Sequence, residues 1–274
     1  MNKTTAVLVA IIIVLVGSFA WYAAKHPDRG SAARDDMEQG AIDDGRRVGP
    51  RTLSADIPAA GLDTLALQVG VGEMRVTASS DDEVHAEVTL RPKEREFLGF
   101  LRWSSGTARD IAGATIHQER KDKRLTLSLD FGDHDRDNIK QEWVVQVPAR
   151  LRLDSVMNVG EMDIAGVAGG VGAKLDVGEL EIEVPQGSID AEVNVGEIRA
   201  KSSSEHHGRI QLASNIGDAT LLLHGAQSGV HEHGGLGNQV SMDGDGPDRM
   251  DLKLNIGEVT LRVEPQDDKA GGGK

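Results

Sequence analysis

The chain has 274 residues, a formal net charge of −14 at pH 7 and no cysteine. The absence of cysteine excludes disulfides, a lipid-modified cysteine anchor and thiol catalysis. The negative charge disfavours nucleic acid and other anionic surfaces, so we expect no nucleic-acid partner.

Residues 5–24 form an uncharged apolar run that is long enough for a membrane-spanning helix. Trp21 and Tyr22 lie at its end, where aromatic side chains typically occupy the membrane interface. We expect residues 1–24 to be an uncleaved signal anchor, the alternative being a signal peptide cleaved at the small-residue triplet 18–20.

Two features of this run favour opposite orientations in the membrane. Lys25, Arg29 and Arg34 follow the run, and the positive-inside rule then favours a cytoplasmic body. A signal anchor at the start of a chain usually exports the residues after it, however, and nearby aspartates dilute the positive charge. We expect a single pass through a bacterial inner membrane, with the body in the periplasm or extracytoplasmic space.

The anchor is followed by segments of different character. Residues 25–50 mix charge, glycine and proline without periodicity and are expected to be a flexible linker. Residues 51–150 contain an early repeat unit at Gly72 and several strand-like stretches, which predicts the start and the cap of a repeat region. Residues 265–274 have nothing to pack and are expected to be a disordered tail.

One short segment stands out because the chain has few aromatic residues. Phe97, Phe100 and Trp103 lie close together with two leucines between them. We expect this segment to cover the first coil of the repeat region. The alternative is a contact with a partner or a membrane surface.

Residues 151–264 are dominated by a repeat. Glycines recur every 18 to 21 residues, mostly within the motif Asn/Asp-(Val/Ile)-Gly-(Glu/Asp). They are Gly160, Gly178, Gly196, Gly217, Gly237 and Gly257. Apolar residues lie three and one before the glycine, as in Met157 and Val159, and two and four after it, as in Met162 and Ile164. The phase change predicts a corner at glycine, with all these apolar side chains facing inward.

A unit this short cannot bury a core alone, so successive units must stack. The chain is therefore predicted to be all-β. We expect a β-solenoid of the single-stranded β-helix type, built from stacked coils of 18 to 21 residues and preceded by one N-terminal transmembrane helix.

Stacking predicts two polar columns at the corners. The carboxylate column contains Glu161, Glu179, Glu197, Asp218 and Glu258. Calcium could bridge such carboxylates, but the Asp-rich nonapeptide of calcium-binding rolls is missing, and we expect solvated carboxylates instead. The other column contains Asn158, Asp176, Asn194, Asn215 and Asn255, whose amides can hydrogen-bond along the stack.

Histidines cluster late in the sequence, and His224, His231 and His233 are the candidates for a transition-metal site. The segment is rich in glycine and has no spaced ligand set such as His-Glu-x-x-His. We expect solvated loop histidines, with no metal and no other cofactor.

The sequence resembles one family. Residues 65–73, residues 143–151 and the repeated Gly-Glu/Asp units are similar to the bacterial putative-adhesin family of β-strand-repeat proteins, a domain of unknown function. The resemblance covers roughly residues 55–263. It implies a β-solenoid, often tethered to a membrane, with sister domains in cell-wall-stress regulators and no established catalytic residues. The family's usual Ser-Gly-Asp unit is mostly Asn-Val-Gly-Glu here.

These features favour a membrane-anchored, non-catalytic binding scaffold, adhesin-like or related to envelope stress. Its partner would be an envelope protein or a cell-wall component. The alternative is a β-helix scaffold on the cytoplasmic side that associates with copies of itself end to end. A polysaccharide-acting enzyme is less favoured, because no aromatic residue follows Trp143 and no nucleophile motif is present.

Overall fold

The computed structural model describes residues 41–43, 46–92, 111–132, 139–203, 207–223, 226–227, 229–234 and 236–264. These residues belong to one compact unit, Gly40–Lys274. No helix among them is long and apolar enough to cross a membrane. The expected anchor, the segment from Phe97 to Trp103 and the tail lie outside the described residues.

The described chain is all-β, as predicted. Its first strands are β1 (Ala41–Asp43), β2 (Arg46–Val48), β3 (Arg51–Pro58), β4 (Thr64–Ser79), β5 (Glu83–Pro92), β6 (Thr115–Lys121), β7 (Arg124–Asp130) and β8 (Ile139–Pro148). The later strands are β9 (Arg152–Ala165), β10 (Val171–Val184), β11 (Ile189–Ser202), β12 (His207–Leu223), β13 (Ala226–Gln227), β14 (Val230–Gly234), β15 (Gly237–Met242) and β16 (Asp248–Val263). β1 and β2 pair with each other, and the other strands form one sheet of 14 strands.

Six long strands form a parallel stack in which the corner glycines share one register. Their order is β4, β9, β10, β11, β16 and β12. The glycines in that order are Gly72, Gly160, Gly178, Gly196, Gly257 and Gly217. The stack does not follow the sequence, because β16 lies between β11 and β12.

Each long strand bends at its glycine, so that its two arms face each other across a core. The six glycines have φ between 128° and 151°, outside the range that other residues readily adopt. In β9 the Ser155 hydroxyl lies 3.6 Å from the Met162 sulfur across the bend. Met157, Met162 and Ile164 are buried between the arms, as the repeat pattern predicts.

The repeat pattern predicted that the apolar residue just before each glycine faces the core, and this prediction was wrong. Val159, Val177 and Ile216 are 43%, 41% and 39% exposed. The chain already turns between the asparagine and the glutamate, so the inward alternation stops at Met157 and resumes at Met162. The aliphatic side chain between them lies on the outside of the bend.

Gly237 was also predicted as a corner, and the structure contradicts this. It begins β15, which pairs antiparallel with β12 and with β14. Other units carry core residues three before the glycine and two and four after it. In this unit those positions are Gly234, Gln239 and Ser241. Since these residues cannot fill a core, the segment forms a hairpin beside the stack.

The opposite end of the stack is also irregular. The first arm of β4 pairs with β7, whereas its second arm pairs with β8, followed by β5 and β3. Phe131 and Trp143 are buried within this part of the core. Apart from β4, the described strands of residues 51–150 therefore differ from the regular repeat.

The corner glycines have no room for a side chain. A Cβ on Gly178 would lie 1.8 Å from the carbonyl oxygen of Gly160, and one on Gly196 would lie 1.7 Å from that of Gly178. The same contact recurs through the stack, with each glycine lying over the backbone of its neighbour. Neighbouring corners are therefore held too close for any other residue.

We predict that Gly178→Ala lowers the free energy of unfolding by at least about 2 kcal/mol, because it combines steric overlap with an unfavourable φ. Urea unfolding of the full-length protein, followed by circular dichroism, measures the loss. Gly49→Ala is the matched control, since no atom lies within 4 Å of its added Cβ. Equal stability of the two variants would contradict the close-approach argument.

Candidate functional site

The corners of the six stacked strands form a continuous surface, here called the corner ridge. It consists of three parallel side-chain columns, one residue wide each, with the corner glycines between the aliphatic and the carboxylate columns. The aliphatic column contains Val71, Val159, Val177, Val195, Ile256 and Ile216, in stack order. All six side chains are exposed or half-buried.

The amide column lies on one side of the aliphatic column and is hydrogen-bonded along the stack. Asn194 Nδ2 donates to Asp176 Oδ1 at 2.9 Å. Asn255 Nδ2 donates to Asn194 Oδ1, and Asn215 Nδ2 donates to Asn255 Oδ1, both at 2.7 Å. These contacts link β10, β11, β16 and β12 and fix the side chains in one orientation.

The carboxylate column lies on the other side and contains Glu73, Glu161, Glu179, Glu197, Glu258 and Asp218. Lys140 Nζ lies 2.7 Å from Glu73 Oε1 at one end. Arg199 contacts Glu197 and lies 3.8 Å from Glu179 in the middle. Basic residues thus partly neutralise the column.

The carboxyl group of Glu197 has a raised pKa, chiefly because it is partly buried. The nearby Glu258 and Glu179 act on this pKa in the same direction. The Arg199 guanidinium opposes them. In the described part of the chain, histidines and carboxylates do not form any group of three or more that could hold a metal ion.

The candidate histidines are not brought into a described site. His231 and His233 lie on β14, opposite Val240 and Asn238 on β15. His224 and the side chains of His231 and His233 lie outside the described part. The prediction of solvated histidines therefore stays a prediction.

One histidine with well-defined partners was not among the candidates predicted from the sequence. His85 on β5 lies with Nδ1 2.7 Å from Asp56 Oδ1 on β3 and Nε2 3.1 Å from both carboxylate oxygens of Asp81. The Asp56 and Asp81 hydrogen bonds raise the pKa of His85. The hydrogen bond with His85 lowers the pKa of Asp81. No sequence motif marks this group, because Asp56 meets His85 only through the pairing of β3 with β5.

A cleft of about 640 Å³ lies where the ladder beside β4 is interrupted. β7 pairs with β4 as far as Gln68, and β8 begins to pair with it at Gly72. Val69, Phe131 and Gln141 are among the residues that line the gap. The buried Gln141 is oriented by the Trp143 indole, which donates to its Oε1 at 3.0 Å.

No protein-family model matches the chain, and no curated protein matches it. Among solved structures, a putative cell adhesion protein from Clostridium sporogenes is similar at 13% identity and a TM-score of 0.50. That comparison covers 79% of this chain and 100% of the other. A putative adhesin from Bacteroides fragilis matches at 12% identity and a TM-score of 0.31, over 78% of this chain and 97% of the other.

A putative lipid binding protein from Parabacteroides distasonis is also similar, at 10% identity and a TM-score of 0.25. It covers 78% of this chain and 94% of its own length. At such identities the likeness concerns the fold alone. The chain shares its all-β fold with a putative cell adhesion protein.

We predict that the His85 contacts make stability depend on pH. Because the folded pKa of His85 is raised, its stabilising effect is complete below the unfolded pKa of about 6.5 and is lost as pH rises through the folded pKa. The urea midpoint of the native protein should therefore fall relative to that of His85→Gln as pH increases through this range.

His117→Gln, at an exposed histidine of β6, is the matched control for the substitution itself. A parallel pH dependence for His85→Gln and the native protein would contradict the assignment of the charge to His85.

Proposed function

We propose that this chain is a membrane-anchored, extracytoplasmic β-solenoid that acts as a non-catalytic, adhesin-like binding scaffold. The observation that carries the proposal is the in-register stack of bent strands, which presents a periodic outer surface built on one repeated corner. A rigid surface of this kind suits the recognition of another extended or repetitive component. The partner we propose is an envelope protein or a cell-wall component.

The loops support the coil interpretation of the stack. Leu153 N donates to Gly170 O, and Val171 N donates to Ser188 O, at 3.0 and 2.9 Å. The start of one long strand thus meets the residues that lead into the next. Together with the bend at each glycine, these contacts are what a solenoid requires, since every coil must return to its starting side.

The outer face of the second arms supports a binding role. On β9 and β10 it carries Glu161, Asp163, Glu179, Glu181 and Glu183. Basic partners of this patch lie on the flanking strands, as in the 3.2 Å pair between Arg75 and Asp163. The surface is polar and highly charged, which suits a soluble face that contacts a partner through complementary charge.

The anchor and the export of the body rest on the sequence. The apolar run of residues 5–24 supports a spanning helix, and a signal anchor is the form of it that we propose. A link to envelope stress rests on the family resemblance alone.

The irregular ends of the stack disfavour end-to-end self-assembly. At one end β4 pairs with β8, beyond which β5 and β3 pair antiparallel, and at the other β12 pairs with the antiparallel strand β15. A second chain would thus meet strands of the wrong direction and register. The alternative function, a β-helix scaffold on the cytoplasmic side that assembles end to end, is therefore the weaker candidate.

A pair of topology reporters tests the localisation. We expect alkaline phosphatase fused after Lys274 to be active, because it folds only after export, and a cytoplasm-dependent fluorescent protein at the same position to be dark. Removal of residues 1–24 from the phosphatase fusion is the control and should abolish its activity. Fluorescence with an inactive phosphatase would overturn the extracytoplasmic proposal.

A further inference from the structure

The corner ridge contains an apolar stripe that the core does not use. Its aliphatic column runs over six strands, which is roughly 24 Å at the usual strand spacing. Leu236, which is 79% exposed, continues it beyond β12, where its carbonyl oxygen accepts a hydrogen bond from Gly217 N at 3.1 Å. A stripe of exposed and half-buried aliphatic side chains of this kind marks an interaction surface.

We propose that two copies of this chain associate side by side through their corner ridges, with the two-fold axis parallel to the stack. This inference goes beyond the proposed function, since it concerns a contact between copies and not the envelope partner. The surface committed to the contact is the aliphatic column and the two polar columns beside it.

The repeat spacing favours a second copy as the occupant. Val159, Val177 and Val195 are one strand spacing apart, so a partner must offer apolar side chains at the same intervals. A second copy of the chain has the same repeat and therefore the same spacing. Its β-branched side chains can interdigitate with those of the first copy, as in the dry interfaces between paired β-sheets.

The polar columns determine the direction of the axis. A rotation about an axis parallel to the stack brings the amide column of one copy opposite the carboxylate column of the other. A perpendicular axis would instead bring carboxylates opposite carboxylates, which is unfavourable. In the parallel arrangement, the side-chain amide of Asn194 donates one N–H to Asp176 in its own amide column. Its second N–H can donate to a carboxylate of the other copy.

An anionic lipid surface is a poorer occupant, because the carboxylate column borders the stripe along its length and the chain carries a charge of −14. The narrow ridge offers roughly 300 Å² per copy if it is about 12 Å wide, which is less than the about 800 Å² of a standard interface. The contact should therefore be weak between dilute molecules. Tethering of both copies to one membrane would raise their effective concentration.

Cysteine crosslinking tests the proposal, since the native chain has no cysteine. Val159 is second from the β4 end of the column and Ile256 is second from the β12 end. We expect full-length Val159→Cys in isolated, opened membranes to form a disulfide dimer on mild oxidation, several times more than Glu181→Cys on the exposed outer face of β10. Val177→Cys provides a second position on the same stripe.

The outcomes separate the possibilities. Equal crosslinking of Val159→Cys, Val177→Cys and Glu181→Cys would overturn the ridge contact. A perpendicular axis would bring position 159 of one copy next to position 256 of the other. If Val159→Cys and Ile256→Cys crosslink to each other when the two variants are mixed, and neither forms a dimer alone, the parallel axis is wrong. Because the oxidant reaches both sides of opened membranes, the result does not depend on the orientation that the reporter fusions measure.

Discussion

The structure depends on the close approach of one corner glycine to the backbone of the next. A Cβ at any of the six stacked corners would lie 1.7 to 1.9 Å from a neighbouring carbonyl oxygen. This contact fixes the register of the parallel strands, and the register in turn aligns every other position of the repeat. The core, the amide ladder, the carboxylate column and the exposed aliphatic column are all consequences of the same alignment.

The alignment has opposite effects on the two polar columns. Asparagine side chains gain from it, because an amide can donate to one neighbour and accept from another. Glutamates are brought near like charges in a partly buried position, and burial, with a smaller effect of Glu258 and Glu179, raises the pKa of Glu197. Arg199 and Lys140 reduce this repulsion at two places. The ridge is thus rigid on one side and electrostatically strained on the other, and a partner that donates hydrogen bonds to the carboxylates would relieve that strain.

The sequence predicted the repeat well, because a glycine with apolar residues at fixed distances before and after it leaves a strong periodic signal. It could not predict the order of the strands. Every unit has nearly the same corner, so β16 fits between β11 and β12 as well as a sequential unit would, and only its loops decide. The outward direction of Val159 was missed because a bend changes the inward alternation at a point that the pattern does not mark. The His85 group was missed because its carboxylates come together only in the folded chain.

The order of stacked strands is the most direct test of this account. Asp163, Thr260 and Thr220 occupy equivalent positions on β9, β16 and β12. Spin labels at introduced cysteines, read by pulsed electron paramagnetic resonance, should give a shorter distance for the 163–260 pair than for the 163–220 pair. The expected backbone separations are about 14 and about 19 Å, for three and four strand spacings. The reverse order of the two distances would contradict the in-register stack described here.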